Sequence, residues 1–293
     1  MASEPFANLV AEAVARFHAN RPVRAASLVV TLFGDSVVPR GGVLSIRAIV
    51  DLLTGVGLEG GAIRTAMSRL VRDGLFERAA QRASPSYSLT ARANEEFAAA
   101  FARVYDGKGR GDGDGLDLVI LPPAVKRARG DAALVAAGFQ VVVAGLYAAP
   151  EGVEPPLIPG AFALKGQLGP ETAYALGTAI WDMERTCEAY RRFSLACSPL
   201  AAALARSSPL PAQSFALRLL TVHAFRRIVV RDPGLPSCFW PADRPDRAAR
   251  VLMSDIYSSL IESSELYLGN VTGPGELFPV ASPPLDQRFC GAT

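Results

Sequence analysis

The chain is 293 residues long, half of it apolar, with 20% charged and 8% aromatic residues, 26 Gly and 22 Pro. That is long enough to bury at least one full core and too apolar for a disordered chain or a small stapled scaffold. Thirty basic against 28 acidic side chains leave a formal charge of only +2, but residues 16–92 hold 11 basic and 5 acidic side chains while the rest hold 19 and 23, so a polyanionic partner is expected at the N-terminal third.

After a first helical stretch, Pro22 opens an apolar helical run over residues 23–33 that stops at Gly34-Asp35, and Pro39-Arg40-Gly41-Gly42 forms a turn. A second helix starts with Ser45 as its N-cap and turns Ile46, Ile49, Val50 and Leu53 inward. The chain turns through Gly55 and Gly57 into a third helix over residues 59–73, closed by Gly74. LFERA and SYSLT then read as two short strands around a polar turn. Three helices followed by a hairpin is the order of a winged helix-turn-helix.

The stretch DGKGRGDGDG at 106–115 reads as a linker. Behind it LDLVIL is a strand, residues 124–137 a short helix, FQVVVAGLYAAP a second strand and AFALKG a third. A helix follows from Pro170, with Pro199 limiting it or starting the next, then one over 211–231 and a last one over 244–268. The expected class is α+β in three domains: a winged helix-turn-helix over 1–106, a ferredoxin-like module over 116–168 and a helical C-terminal domain over 169–275.

Cys187, Cys197, Cys238 and Cys290 lie far apart with no Cys-x-x-Cys pair, and His18 and His223 are the only histidines. Neither a metal site nor a disulfide framework is indicated, and no cofactor is expected. The first residues lack the basic, apolar and small-residue progression of a secretory signal, which points to a cytoplasmic, reducing setting. The uncharged run 132–150 is nearly long enough to cross a bilayer. Gly138, Gln140 and Gly145 break it, so it reads as a helix end, a stop and a buried strand, and no membrane association is expected.

The third helix carries the chemistry. With Ile63 at zero on a wheel of about 100° per residue, Ala66, Met67, Leu70 and Val71 fall within about 80°, and Arg64, Thr65, Ser68, Arg69 and Arg72 occupy about 100° to 240°. One face packs; the other is basic and hydroxylic without an acid. Arginine grips phosphates or reads guanine edges and Ser and Thr donate to phosphates, so the face suits a DNA major groove. Arg78 and Arg82, at the ends of the hairpin turn, would sit by the backbone or minor groove.

These residues also resemble a known family. RAASLVVTLFGDSVVPRGG, AIRTAMSRLVRDGLFERA and SYSLT, then GFQVVVAGLYAAP, IWDMERTCEAYRRF, HAFRRIVVRDPGLP and PADRPDRAARVL, are similar to the PaaX-like transcriptional regulators, repressors of phenylacetic acid degradation. The resemblance implies a homodimeric repressor of a catabolic operon that binds double-stranded operator DNA. It also implies a ferredoxin-like middle domain, a helical C-terminal domain and release by an acyl-coenzyme A such as phenylacetyl-CoA. Phe225 and Arg244 stand where the family carries tryptophan, so a different effector is the nearest alternative.

On the 211–231 helix Arg226 shares a face with Phe215, Leu219, Val222 and Val229, and a buried guanidinium needs an anion. Asp182 or Asp232 supplies it in a structural reading. In the functional one a ligand's phosphate or acid does, and Arg226, Arg227 and Arg231 with Trp181 and Tyr190 line an effector pocket. His223 reads as a core histidine. The alternative from another class, a metal-dependent nuclease using Asp117 and Asp131, lacks a third carboxylate at regular spacing.

Overall fold

The structure, a computed structural model, describes residues 4–19, 25–79, 85–106, 115–123, 125, 127–271, 285, 288 and 289. Arg82, Cys290 and the linker residues 107–114 lie outside the described residues. In chain order come α1 (Glu4–Ala19), α2 (Ala25–Leu32), a π-helical turn (Phe33–Val37), a 3-10 turn (Val38–Arg40), β1 (Leu44–Ser45), α3 (Ile46–Thr54) and α4 (Gly60–Arg72). Then follow β2 (Phe76–Arg78), β3 (Ser86–Leu89), α5 (Ala91–Tyr105), β4 (Gly115–Ile120), α6 (Arg127–Ala136), β5 (Gln140–Val143), β6 (Leu146–Pro150) and β7 (Phe162–Gln167). The rest is helical: α7 (Pro170–Trp181), α8 (Met183–Leu204), α9 (Pro211–Val229), a 3-10 turn (Ser237–Phe239) and α10 (Pro245–Val271). The fold is mixed α+β, with two antiparallel sheets of order β1-β3-β2 and β5-β6-β4-β7.

Contacts divide the chain into two compact units. The first is Met1–Gly107, Arg192–Val230 and Arg247–Thr293; the second is Lys108–Arg191 and Arg231–Asp246. Neither is one run of sequence, so these units differ from the consecutive domains expected with boundaries near 106, 168 and 275. The reason lies in α9, whose residues are apolar nearly all round and therefore cannot form a surface helix. It packs on α1, α2 and α5, and its Phe215, Ala216, Leu219 and Leu220 share one core with Leu28, Leu32, Ile49, Leu52, Ile63 and Met67.

Within the first unit Ser45 caps α3 by accepting from the Ala48 N–H at 3.2 Å. Thr90 does the same for α5 at Ala93 and also donates its hydroxyl to Gly74 O at 2.9 Å, tying the end of α4 to the start of α5. Helix α5 and strand β1 have no counterpart in the sequence reading. Gly34-Asp35 does not stop α2 at a surface turn: both residues are buried in the π-helical turn. A Cβ on Gly34 would overlap the Phe101 ring of α5, so the approach of these helices requires glycine there. Asp35 meets Arg218 of α9 at 2.8 Å, Arg288 at 3.0 Å and the Tyr105 hydroxyl at 2.8 Å. Burial alone would raise its carboxyl, but the charges of Arg218 and Arg288 and the hydrogen bonds from Tyr105 and Ser36 hold it below the usual value.

In the second unit α6 covers one face of the four-stranded sheet, burying Val119, Leu121, Leu134, Phe139, Tyr147 and Ala149. The run expected as one strand through Pro150 is a hairpin instead, because Gly145 (φ 87°) turns β5 back into β6. The helix expected from Pro170 is broken at Asp182, whose left-handed backbone (φ 52°) ends α7 before α8 begins. Pro199 neither limits nor starts a helix but lies inside α8. Among the described residues no helix is long and apolar enough to cross a membrane.

Two outcomes follow. Gly34→Ala forces the Phe101 ring aside in a filled core, and a thermal or denaturant melt should show a loss of about 2–3 kcal/mol. His223, buried beside Thr31, is pushed down to about 3 from an ordinary 6.5, by burial first and then by the charges of Arg226 and Arg227. The unfolded chain therefore binds this proton when the folded one does not. Stability from this group is complete above pH 6.5 and is lost as pH falls toward about 3. Denaturation midpoints of His223→Gln, measured between about pH 7 and pH 4, should fall less than those of the parent chain.

Candidate nucleic-acid interface

Helix α4 is fixed by its apolar side. Ile63, Ala66, Met67 and Leu70 are buried, and the helix packs against α2 and α3. The residues between them, Arg64, Thr65, Ser68, Arg69 and Arg72, are all exposed. Thr65 donates to Gly61 O at 2.9 Å. The side chains of Arg69 and Arg72, 70% and 75% exposed, flank Asp73 at 3.5 and 3.7 Å. Such solvent-facing pairs hold little energy, so both guanidiniums can exchange this carboxylate for a phosphate. The five expected residues therefore share one solvent-facing surface with no carboxylate between Gly60 and Arg72.

The hairpin beside it pairs Phe76 with Leu89 and Arg78 with Tyr87, and closes with the Ala79 N–H donating to Ser86 O at 2.9 Å. Arg78 is exposed at the end of β2. Arg92 escaped the sequence reading. It belongs to α5, and its guanidinium lies beside the Gly74 turn that closes α4. The Thr90 tie joins the two helices at this point, and Arg92 also pairs with Glu96 at 3.8 Å.

The residues expected around an effector fall into both units. In the first, Arg226 donates from Nε to Thr31 Oγ1 at 3.1 Å and from Nη2 to the hydroxyl and carbonyl of Ser27 at 2.9 and 3.1 Å. The expected ion pair with Asp182 or Asp232 is thus replaced by hydroxyl and carbonyl acceptors from α2, reached because α9 lies against α2. Arg227 is half-buried beside it. In the second unit Tyr190 is buried and its hydroxyl donates to Asp232 at 2.7 Å, while the other oxygen of Asp232 accepts from the Gly234 N–H at 2.7 Å. Trp181 packs edge-on against Phe239 at 5.9 Å, and Arg231 is exposed. The Asp-Pro-x-Leu-Pro turn is held by these contacts and by Trp240 Nε1 donating to Leu235 O at 3.1 Å. Arg244, with φ 38°, lies over the Trp240 ring and pairs with Asp246 at 2.8 Å.

The acids considered for a nuclease are both engaged: Asp117 accepts from the Gly152 N–H at 2.7 Å, and Asp131 accepts from the Tyr147 hydroxyl. Among the described residues no group of three or more His, Cys, Asp or Glu is placed to hold a metal ion.

Comparison with known proteins gives this geometry a setting. Residues 24–93, which run from the start of α2 into α5, match the family described as PaaX-like protein, and residues 181–270 match the PaaX-like protein C-terminal domain. The transcriptional repressor PaaX of Escherichia coli (strain K12) is 28% identical over an alignment of 301 residues that takes in 92% of this chain and 91% of that protein. Among solved structures, the uncharacterized protein Rv0674 from Mycobacterium tuberculosis aligns at a TM-score of 0.47 and 20% identity, over 76% of this chain and 90% of that one. With the two characteristic segments present in order and a relative aligned along nearly its full length, the chain belongs to the PaaX-like protein family.

Proposed function

We propose that the chain is a DNA-binding transcriptional repressor that acts in the cytoplasm as a homodimer on a two-fold operator. The observation that carries this reading is the exposed face of α4, with its three arginines and two hydroxyls opposite the buried Ile63, Ala66, Met67 and Leu70. In this reading α3, α4 and the β2–β3 hairpin form a winged helix-turn-helix. Arg64, Thr65, Ser68, Arg69 and Arg72 enter the major groove, and Arg78 and Arg82 follow the backbone or minor groove. The second unit is read as a ferredoxin-like module. Its sheet order β5-β6-β4-β7 supports this, with a loop between β6 and β7 in place of the second helix of that arrangement. Support for repression comes from the relative that is itself a transcriptional repressor.

We further propose that an acyl-coenzyme A thioester, with phenylacetyl-CoA as the first candidate, releases the DNA. Of the residues expected to meet it, Arg226 and Arg227 belong to the first unit and Arg231, Trp181 and Tyr190 to the second. Arg226 is engaged by Thr31 and Ser27 and Tyr190 by Asp232, and Trp181 packs edge-on against Phe239.

The test is fluorescence anisotropy with the DNA upstream of the protein's own gene against scrambled DNA at fixed salt, with and without phenylacetyl-CoA. Specific binding reversed by the thioester is the expected result, and equal affinity for both DNAs would overturn the reading. Arg64→Ala and Arg69→Ala should each weaken specific binding by about 10- to 100-fold if they read bases. An arginine that meets only phosphate should instead lower the salt slope by about 0.9 on replacement.

A further inference from the structure

The turn that follows α2 is short of hydrogen-bond donors. Its Val38 N–H donates to Phe33 O in the π-helical pattern, and the residue that would carry that pattern on to Gly34 O is Pro39, which has no N–H. Guanidinium groups supply the missing donors, one from a distant segment and one from the turn itself. Arg288 donates from Nη2 to Gly34 O at 3.3 Å and from Nη1 to Asp35 O at 2.8 Å, and Arg40 Nη1 donates to Ser36 O at 2.6 Å. Three successive carbonyls of one turn are thus met by side chains.

Arg288 is not needed to neutralise the site. Asp35 already pairs with Arg218 at 2.8 Å, and Glu265 pairs with Arg40 and Arg218. Without Arg288 the cluster holds two arginines and two carboxylates; with it, three against two. What Arg288 alone adds is donation to Gly34 and Asp35 carbonyls, together with a guanidinium 3.9 Å from the Tyr105 ring centre. The next residue fixes it there. Phe289 is 1% exposed and its ring lies 5.2 Å from Tyr105, 5.2 Å from Tyr257 and 6.1 Å from Phe225. Its N–H donates to Tyr105 O at 2.9 Å. Its backbone is left-handed, at φ 64°, a conformation that a bulky residue keeps only where its surroundings impose it.

We propose that Arg288 and Phe289 are the plug of an intramolecular lock, seated in a socket made by Gly34, Asp35, Tyr105, Phe225 and Tyr257. The seated plug fixes the turn between α2 and α3. Because α2 packs on α4, it also fixes the position from which α4 presents its arginine face. Withdrawal leaves the turn with unmet buried carbonyls and frees it to change geometry. The consequence for DNA rests on the repressor reading above; the lock itself does not.

Hydrogen exchange on the full chain separates the two. Arg288→Ala and Phe289→Ala should each speed exchange by about tenfold in residues 33–42 and in α3 and α4, with β4–β7 of the second unit as the unchanged reference. Arg288→Lys, which keeps the charge and loses the forked donation, should behave like the alanine variant. Three results would overturn the lock: no change in 33–42, an equal rise throughout α9 and α10, or a lysine variant indistinguishable from the parent. On the upstream DNA, Arg288→Ala should bind about fivefold more weakly with its salt slope unchanged, since no phosphate contact is removed. If the parent chain shows no specific DNA binding, the repressor reading fails while the exchange result still decides the lock.

Discussion

An ionised carboxylate out of reach of water must be paired, and Asp35 is 1% exposed in the π-helical turn that follows α2. Besides its neighbour Ser36, its partners come from segments far away in sequence: Tyr105 at the end of α5, Arg218 in the middle of α9, Tyr257 of α10 and Arg288. The first unit can close only when all of them reach the same point. Arg218 is as buried as Asp35 and is shared with Glu265 at 2.5 Å and with the hydroxyls of Ser264 and Tyr257. Burial first, then the charge of Arg218, brings Arg40 of the same cluster down to about 10. Such a network favours one arrangement of helices over others more than it adds net stability, because each member left alone would be an uncompensated charge or donor.

That constraint explains why the helix bearing the arginine face is not part of a free-standing N-terminal module. Helix α9 brings Arg218 to Asp35 from one side and Phe215, Leu219 and Leu220 to the shared core from the other. Arg226, two turns further along, closes the same contact by binding Ser27 and Thr31 of α2. The apolar side of α4 is buried in this core, and its arginines are left on the outside, where their ion pairs with Asp73 are weak enough to be exchanged. A rigid inner face and loosely held outer charges are what recognition of a polyanion needs: the scaffold fixes register, and the side chains trade one set of anions for another.

The second unit meets its polar groups from within itself, across its two stretches of chain. Asp232 serves both Tyr190 and the Gly234 N–H, Trp240 donates to Leu235 O, and Arg191 pairs with Asp243 at 2.8 Å. The proline-rich turn over 231–236 therefore owes its sequence to hydrogen bonding and ring packing. Arg244 lies over the face of Trp240, a cation–π contact.

Much of this was fixed by local sequence. Ser45 before an apolar helix marks the α3 cap, Gly74 marks the end of α4, and the alternation of Ile63, Ala66, Met67 and Leu70 with Arg64, Ser68, Arg69 and Arg72 specifies a helix with one inner and one basic outer face. Periods, caps and glycine turns act over a few residues, so they can be read without knowing the fold. What they could not decide is the use of a polar residue inside an apolar segment. Gly34-Asp35 looks like a stop until α5 and α9 close on it, and Arg226 looks like one half of an ion pair until α2 offers hydroxyls. The partners of such groups are chosen by which helices meet, across separations that local pattern does not encode. The chain alone determined where the basic face lies; only the tertiary structure decided what holds it in place.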